Sequence, residues 1–122
     1  MAESLRKKKC IPCEGNVKPL TDGEIEANLS LVPDWEVAET EIKGKKVKTI
    51  QRSLCFTNFR VAMSFLREVE ELAESEGHHP DFCVHYNVVD FTIWTHAIGG
   101  LHENDFIIAS KIDELYQPGA WK

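Results

Sequence analysis

Residues 58–77 read NFRVAMSFLREVEELAESEG and residues 82–96 read FCVHYNVVDFTIWTH. The change of hydrophobic period between these two stretches decides the fold. In the first, Phe59, Ala62, Met63, Leu66, Val69, Leu72 and Ala73 recur at the 3.6-residue spacing of one helix face. Arg60, Arg67, Glu68, Glu70, Glu71 and Glu74 fall mostly off that stripe. Thr57 or Asn58 supplies an oxygen to cap the first turn, Gly77 suits the residue that ends a helix, and Pro80 bars its continuation. A helix over 58–76 is predicted. In the second stretch the period drops to two. Val89, Phe91, Ile93 and Thr95 share one face, and Asp90, Thr92, Trp94 and His96 share the other. This predicts strands over about 82–86 and 88–95, joined by a tight turn at Tyr86-Asn87.

Upstream, Thr21-Asp22-Gly23-Glu24 fits a capping box ahead of Ile25, Leu29 and Val32, with Pro33 stopping that helix. Strands over 35–37 and 47–56 flank the polar, Gly-containing 42–46 loop. Val47, Thr49, Gln51, Ser53 and Cys55 alternate with Lys48, Ile50, Arg52, Leu54 and Phe56, so the first, mixed set predicts a partly buried face. Downstream of Gly99-Gly100, a last helix over 103–116 carries Ile108, Ala109, Ile112, Leu115 and Tyr116 on one stripe. The expected fold class is α+β, a four-stranded antiparallel sheet with helices packed on one face, in the order α-β-β-α-β-β-α. Residues 1–18 read as a flexible tail with a Cys10-Ile-Pro-Cys13 turn, and 19–122 as a single domain.

The chain has 122 residues, 43% hydrophobic and 28% charged, which suits one domain able to bury its own core. With 14 basic against 20 acidic residues, the net charge is −6 and the pI about 5.3. That balance argues against direct binding of nucleic acid or of an anionic membrane. No apolar run reaches the ~20 residues of a membrane span, and none reads as a secretory signal. A cytoplasmic location is therefore expected, with Cys10, Cys13, Cys55 and Cys83 as free thiols.

All five histidines fall between residues 78 and 102. The predicted hairpin returns His96 to the loop that holds His78 and His79, so three imidazoles converge without any long-range assumption. Imidazole gives and takes protons near neutrality, which suits general acid–base work. His85 and His102 read as ordinary surface or satisfied polar groups. Cys10-x-x-Cys13 has the spacing of half a zinc knuckle, but no second pair follows, and no metal is expected. Cys83, in an apolar strand, reads as a packed thiol rather than a nucleophile.

Glu74-x-x-x-His78-His79-Pro80, then Tyr86, then His96, is similar to the signature of the pterin-4a-carbinolamine dehydratases. Tyr86-Asn87, Thr95-His96, Gly100-Leu101, Asp105 and the Cys10-x-Pro-Cys13-Glu14-Gly15 start also resemble that family, over about residues 10–116. Gly77, Phe82, His102 and Asn104 depart from the pattern of many animal members. The resemblance implies an α+β hydro-lyase that dehydrates 4a-hydroxytetrahydrobiopterin to quinonoid dihydrobiopterin, in tetrahydrobiopterin recycling and without a cofactor. It implies a homodimer or homotetramer, and in animal members a second role as dimerisation cofactor of a transcription factor. By the same resemblance His78 and His96 form the acid–base pair and His79 orients the pterin. The implied substrate contacts are Glu74, His78, His79, Pro80, Thr95, His96, Ala97 and Ile98.

Overall fold

Thr21 caps helix α1 (Asp22–Leu29) in a computed structural model that describes residues 5–11, 17–117 and 121. The capping box is present in both directions: Glu24 N–H donates to Thr21 Oγ1, and Thr21 N–H donates to the Glu24 carboxylate at 2.9 Å. The helix ends before Ser30, and Val32 reaches the core from the turn beyond it.

Strand β1 (Glu36–Ile42) is longer than the 35–37 segment expected from sequence, and all of it pairs antiparallel with residues 45–51 of β2 (Lys45–Cys55). The loop between them shrinks to Lys43-Gly44, with φ of 51° and 80°. Two successive left-handed residues match the right-handed twist of the strands, so pairing continues up to the turn. Burial alternation is weak along polar β1, and that concealed most of the strand from pattern reading.

Helix α2 (Phe59–Glu76) carries the two caps expected for it: Asn58 Oδ1 accepts from Val61 N–H at 2.9 Å, and Gly77 closes the other end. Its buried stripe is Ala62, Phe65, Leu66, Val69 and Ala73, whereas Phe59 and Met63 are exposed. The expected stripe is thus rotated slightly about the helix axis. Phe65 lies in the core, with ring centroids 5.1 Å from Phe56, 5.9 Å from Tyr116 and 5.2 Å from Trp121. An aromatic ring in such a cluster outweighs the flexible Met63, which two residues earlier points to the other side of the helix.

Strands β3 (Asp81–His85) and β4 (Val88–Ile93) form the second hairpin through Tyr86-Asn87, and the sheet order is β1-β2-β4-β3. Register places Leu54 opposite Val89 and Ile50 opposite Ile93, all buried on the face that meets the helices. Val47 and Thr49 are buried on the opposite face of β2, which fits a partly buried surface there. Cys83 pairs with Asp90 on the face turned away from the helices and is exposed, so the packed thiol expected from sequence is not found. Its strand is an edge, with β4 on one side only. Pairing in β4 stops at Ile93. Thr95 then bridges Gly100 across a 3₁₀ turn, His96–Ile98. A Cβ on Gly100 would lie 2.8 Å from Pro19 Cβ, so glycine is what lets the incoming chain close over this loop. Helix α3 (Glu103–Tyr116) completes the α+β order, with side chains of α1, α2 and α3 joined to those of the sheet in one core.

Residues 5–11, read from sequence as part of a loose tail, lie against the helices. Leu5 and Cys10 are buried in the core. Cys10 N–H donates to Glu76 Oε1 at 2.8 Å, and Lys111 Nζ donates to Glu76 Oε2 at 2.5 Å. Burial, followed by the Glu76 charge, pushes the Cys10 thiol up to about 12, so it stays protonated at neutral pH. Cys13 lies outside the described residues.

Burial works to raise the Glu76 carboxyl. The Lys111 and Cys10 hydrogen bonds, with the charges of Lys111 and Lys9, together outweigh it and hold the group below the ordinary glutamate range. A depressed carboxyl stabilises the fold fully above its unfolded value, and that contribution is lost as pH falls through the folded one. The stability gap between wild type and Glu76→Gln, measured by urea unfolding, should therefore be widest near neutrality. It should narrow as pH drops below about 4.3.

Candidate active site

Three chain segments meet at the end of α2: the Gly77–Pro80 turn, the exit of β4 and the start of α3. Gly77 adopts φ 66°, and the next amide, that of His78, donates back to Ala73 O at 3.3 Å. A side chain at Gly77 would strain this left-handed turn, which fixes the direction in which His78 leaves the helix. His78 Nε2 lies 2.6 Å from Asp105 Oδ1. Asp105 is fully buried. Its other oxygen accepts from Thr95 Oγ1 at 2.9 Å and from His102 N–H at 2.9 Å. The carboxylate therefore collects donors from all three segments. A carboxylate accepting from Nε2 would put the ring proton of His78 there and leave Nδ1 for a second partner.

His79 and His96 are exposed, at 60% and 63%. His79 Nε2 lies 2.6 Å from Glu74 Oε2, one turn back on α2. His96 stacks on Trp94 with centroids 3.8 Å apart and planes 18° from parallel. Trp94 Nε1–H donates to Asp81 Oδ2 at 3.3 Å, and His96 Nε2 is 3.8 Å from the same oxygen. A cleft of about 360 Å³ opens between Gly77, His78, His79, Asp81, Trp94, Thr95, His96 and Ala97. The convergence expected from sequence is present.

Some expected members stand elsewhere. Glu74 and Pro80 line a neighbouring, mainly apolar groove of about 470 Å³ with Met63, Leu66 and Phe82, and His79 borders both spaces. Ile98 is half-buried in the 3₁₀ turn and lines neither space. His85, exposed and 3.3 Å from Asp90, lies away from the cleft, and His102 caps α3 by accepting Asn104 N–H through Nδ1 at 3.0 Å. Sequence reasoning missed the roles of Asp81, Trp94 and, above all, Asp105. The signal for Asp105 was an acid three residues after the helix cap, the N3 position of a capping box. Nothing local shows that such an acid also reaches a histidine 27 residues earlier.

The model of the family described as pterin 4 alpha carbinolamine dehydratase matches residues 18–115. The chain belongs to the pterin-4a-carbinolamine dehydratase family. It is 46% identical over 112 residues to a protein of Methylococcus capsulatus provisionally named pterin-4-alpha-carbinolamine dehydratase, covering 92% of this chain and 93% of that protein. A relative with the same provisional name in Rubrobacter xylanophilus is 41% identical over 91% of this chain and 97% of its own length. Among solved structures, a transcriptional coactivator/pterin dehydratase from Brucella melitensis is similar, with a TM-score of 0.68 and 31% identity. That match covers 80% of this chain and 98% of the Brucella chain. The four-stranded α+β architecture is thus that of a pterin dehydratase relative.

Removing one partner of a buried charged network leaves the others desolvated and unpaired. Asp105→Ala should therefore cost about 3–5 kcal/mol in urea unfolding. Asp105→Asn, nearly equal in size, should cost less. It should however let the His78 ring proton distribute between its two nitrogens, read by long-range ¹H–¹⁵N correlation.

Proposed function

We propose that the protein dehydrates 4a-hydroxytetrahydrobiopterin to quinonoid dihydrobiopterin and water by histidine acid–base catalysis, within tetrahydrobiopterin recycling. The observation that carries this reading is the meeting of His78, His79 and His96 on one cleft in a chain of this family. The reaction protonates the C4a hydroxyl, breaks the C4a–O bond as water leaves, and removes a proton from N5 as the C4a=N5 bond forms. Two protons move and there is no net oxidation, so the chemistry calls for placed proton donors and acceptors and for no redox cofactor.

His78 and His96 form the acid–base pair in this reading. The Asp105 contact fixes the His78 tautomer and presents one ring nitrogen to the ligand. The Trp94 face holds His96 flat while its edge stays open to solvent. His79, paired with Glu74, orients the pterin from the side, and Pro80 bounds the same wall. Thr95 N–H donates to Gly100 O and Thr95 O accepts from Gly99, so the backbone of His96 and Ala97 is better disposed to meet the ring's amide edge. Thr95 itself contributes through Asp105, and Ile98 through the turn that carries this backbone. In this reading residues 19–122 act as the dehydratase domain of a cytoplasmic protein. Among the described residues no helix is long and apolar enough to cross a membrane.

Chemically prepared 4a-carbinolamine, followed in the ultraviolet without added metal, should decay faster with micromolar pure protein. His78→Ala and His96→Ala should each slow turnover by roughly 10²-fold or more, and His85→Ala should leave it unchanged. Decay unaffected by wild-type protein would overturn the reading.

A second, compatible reading is an oligomeric binding module whose helix surface serves self-association or a transcription-factor partner. Exposed Phe59 and Met63 on α2, Phe82 beside the apolar groove and the open edge of β3 favour it. Sedimentation at micromolar concentration should give a homodimer or homotetramer that Met63→Glu weakens. A wild-type monomer would remove the self-association reading.

A further inference from the structure

We propose that residues 5–11 form a strap that sets the catalytic geometry, with Glu76 and Asn104 as positioning residues that hold His78 against Asp105. The proposal rests on the dehydratase reading for its effect on turnover, and on the contacts of residues 5–11 with the two helix ends for its geometry.

Glu76 lies two residues before His78 at the end of α2, and Asn104 one residue before Asp105 at the start of α3. Both are nearly inaccessible: the Glu76 side chain is 8% exposed and Asn104 is 1% exposed. The strap joins them through consecutive backbone groups. Cys10 N–H donates to Glu76, as described above, and Ile11 N–H donates to Asn104 Oδ1 at 3.0 Å. Asn104 Nδ2 returns a bond to Ile11 O at 2.5 Å, so the amide is held at both ends and cannot rotate. The Cys10 thiol adds a contact to Asn104 O at 3.6 Å. Lys111, one oxygen away on Glu76, closes the link from α2 to α3.

These contacts converge on the place where two helix ends must keep a fixed separation for a 2.6 Å His78–Asp105 contact. Lys8 to Glu103 and Lys9 to Ser75 O extend the strap on the surface, where such pairs contribute little. The buried Glu76 and Asn104 contacts therefore carry the effect. The Ile11 side chain is 61% exposed, so its backbone rather than its packing does the holding. Errors of about 1 Å in placing a proton-transfer group cost up to about 10²-fold in rate. A strap that governs this separation thus governs turnover without touching substrate.

The test uses full-length protein carrying Asn104→Ala or Ile11→Pro. The first removes both bonds to Ile11. The second removes only the Ile11 N–H donor and leaves every core side chain in place. Because Ile11 already precedes Pro12, its backbone is biased toward the extended form proline accepts. In wild type, long-range ¹H–¹⁵N correlation should show the His78 proton held on Nε2. In either variant it should average over both nitrogens, while the His85 signals stay unchanged. In the same proteins kcat should fall roughly tenfold with KM within about twofold, the signature of a lost positioning effect rather than lost binding. A folded variant of active protein with a wild-type His78 signature, or with wild-type kcat, overturns the proposal. If Asn104→Ala does not fold, Ile11→Pro decides alone. If wild-type protein has no dehydratase activity, that reading fails, and the His78 signature still judges the strap.

Discussion

Asp105 sits at the one point where the three segments that make the cleft are tied by hydrogen bonds to a single buried group. A carboxylate without solvent must be fully paired, and here a histidine ring, a threonine hydroxyl and a backbone amide supply the donors. Each donor comes from a different segment, so the carboxylate is satisfied only when the helix end, the strand exit and the α3 cap are all in place. The cost of burying the charge is thereby turned into specificity of arrangement, because no partial assembly satisfies it. The orientation of His78 follows from this.

Two spaces of unequal character lie side by side, with His79 on their shared border. The larger is floored by apolar side chains of α2 and by Phe82, and it offers area for burial rather than proton exchange. The smaller holds imidazoles and an indole wall, which suits a flat, polar heterocycle that must exchange protons and then release water. The division follows from the fold. The apolar stripe of α2 continues past the edge strand on one side, and the capped ends of α2 and α3 collect polar groups on the other. An apolar face and a histidine-bearing cleft therefore adjoin.

Most of the fold was legible because its signals are local. The Thr21–Glu24 capping box, Gly77, the period of 3.6 along α2 and the alternation along β4 each act over a few residues. The misjudgements share a cause. The full length of β1 depends on pairing with β2 rather than on its own pattern, and the choice of Phe65 over Met63 depends on the rings it meets. Cys83 is exposed because it points to the sheet face turned away from the helices, and which face is covered is not announced by a single strand. The three histidines of the site were readable since a tight hairpin necessarily returns its exit to its entrance.

The sequence by itself determined the element order, the helix ends and the imidazole cluster, together with the family to which the chain belongs. Only the tertiary structure decided that Asp105 is the partner of His78, that Trp94 supports His96, and that residues 5–11 dock at the same helix ends. The physical reason is range. Caps and periodicity are set by neighbours within a turn or a hairpin, whereas a buried carboxylate finds its partners from elements brought together only when the whole core closes.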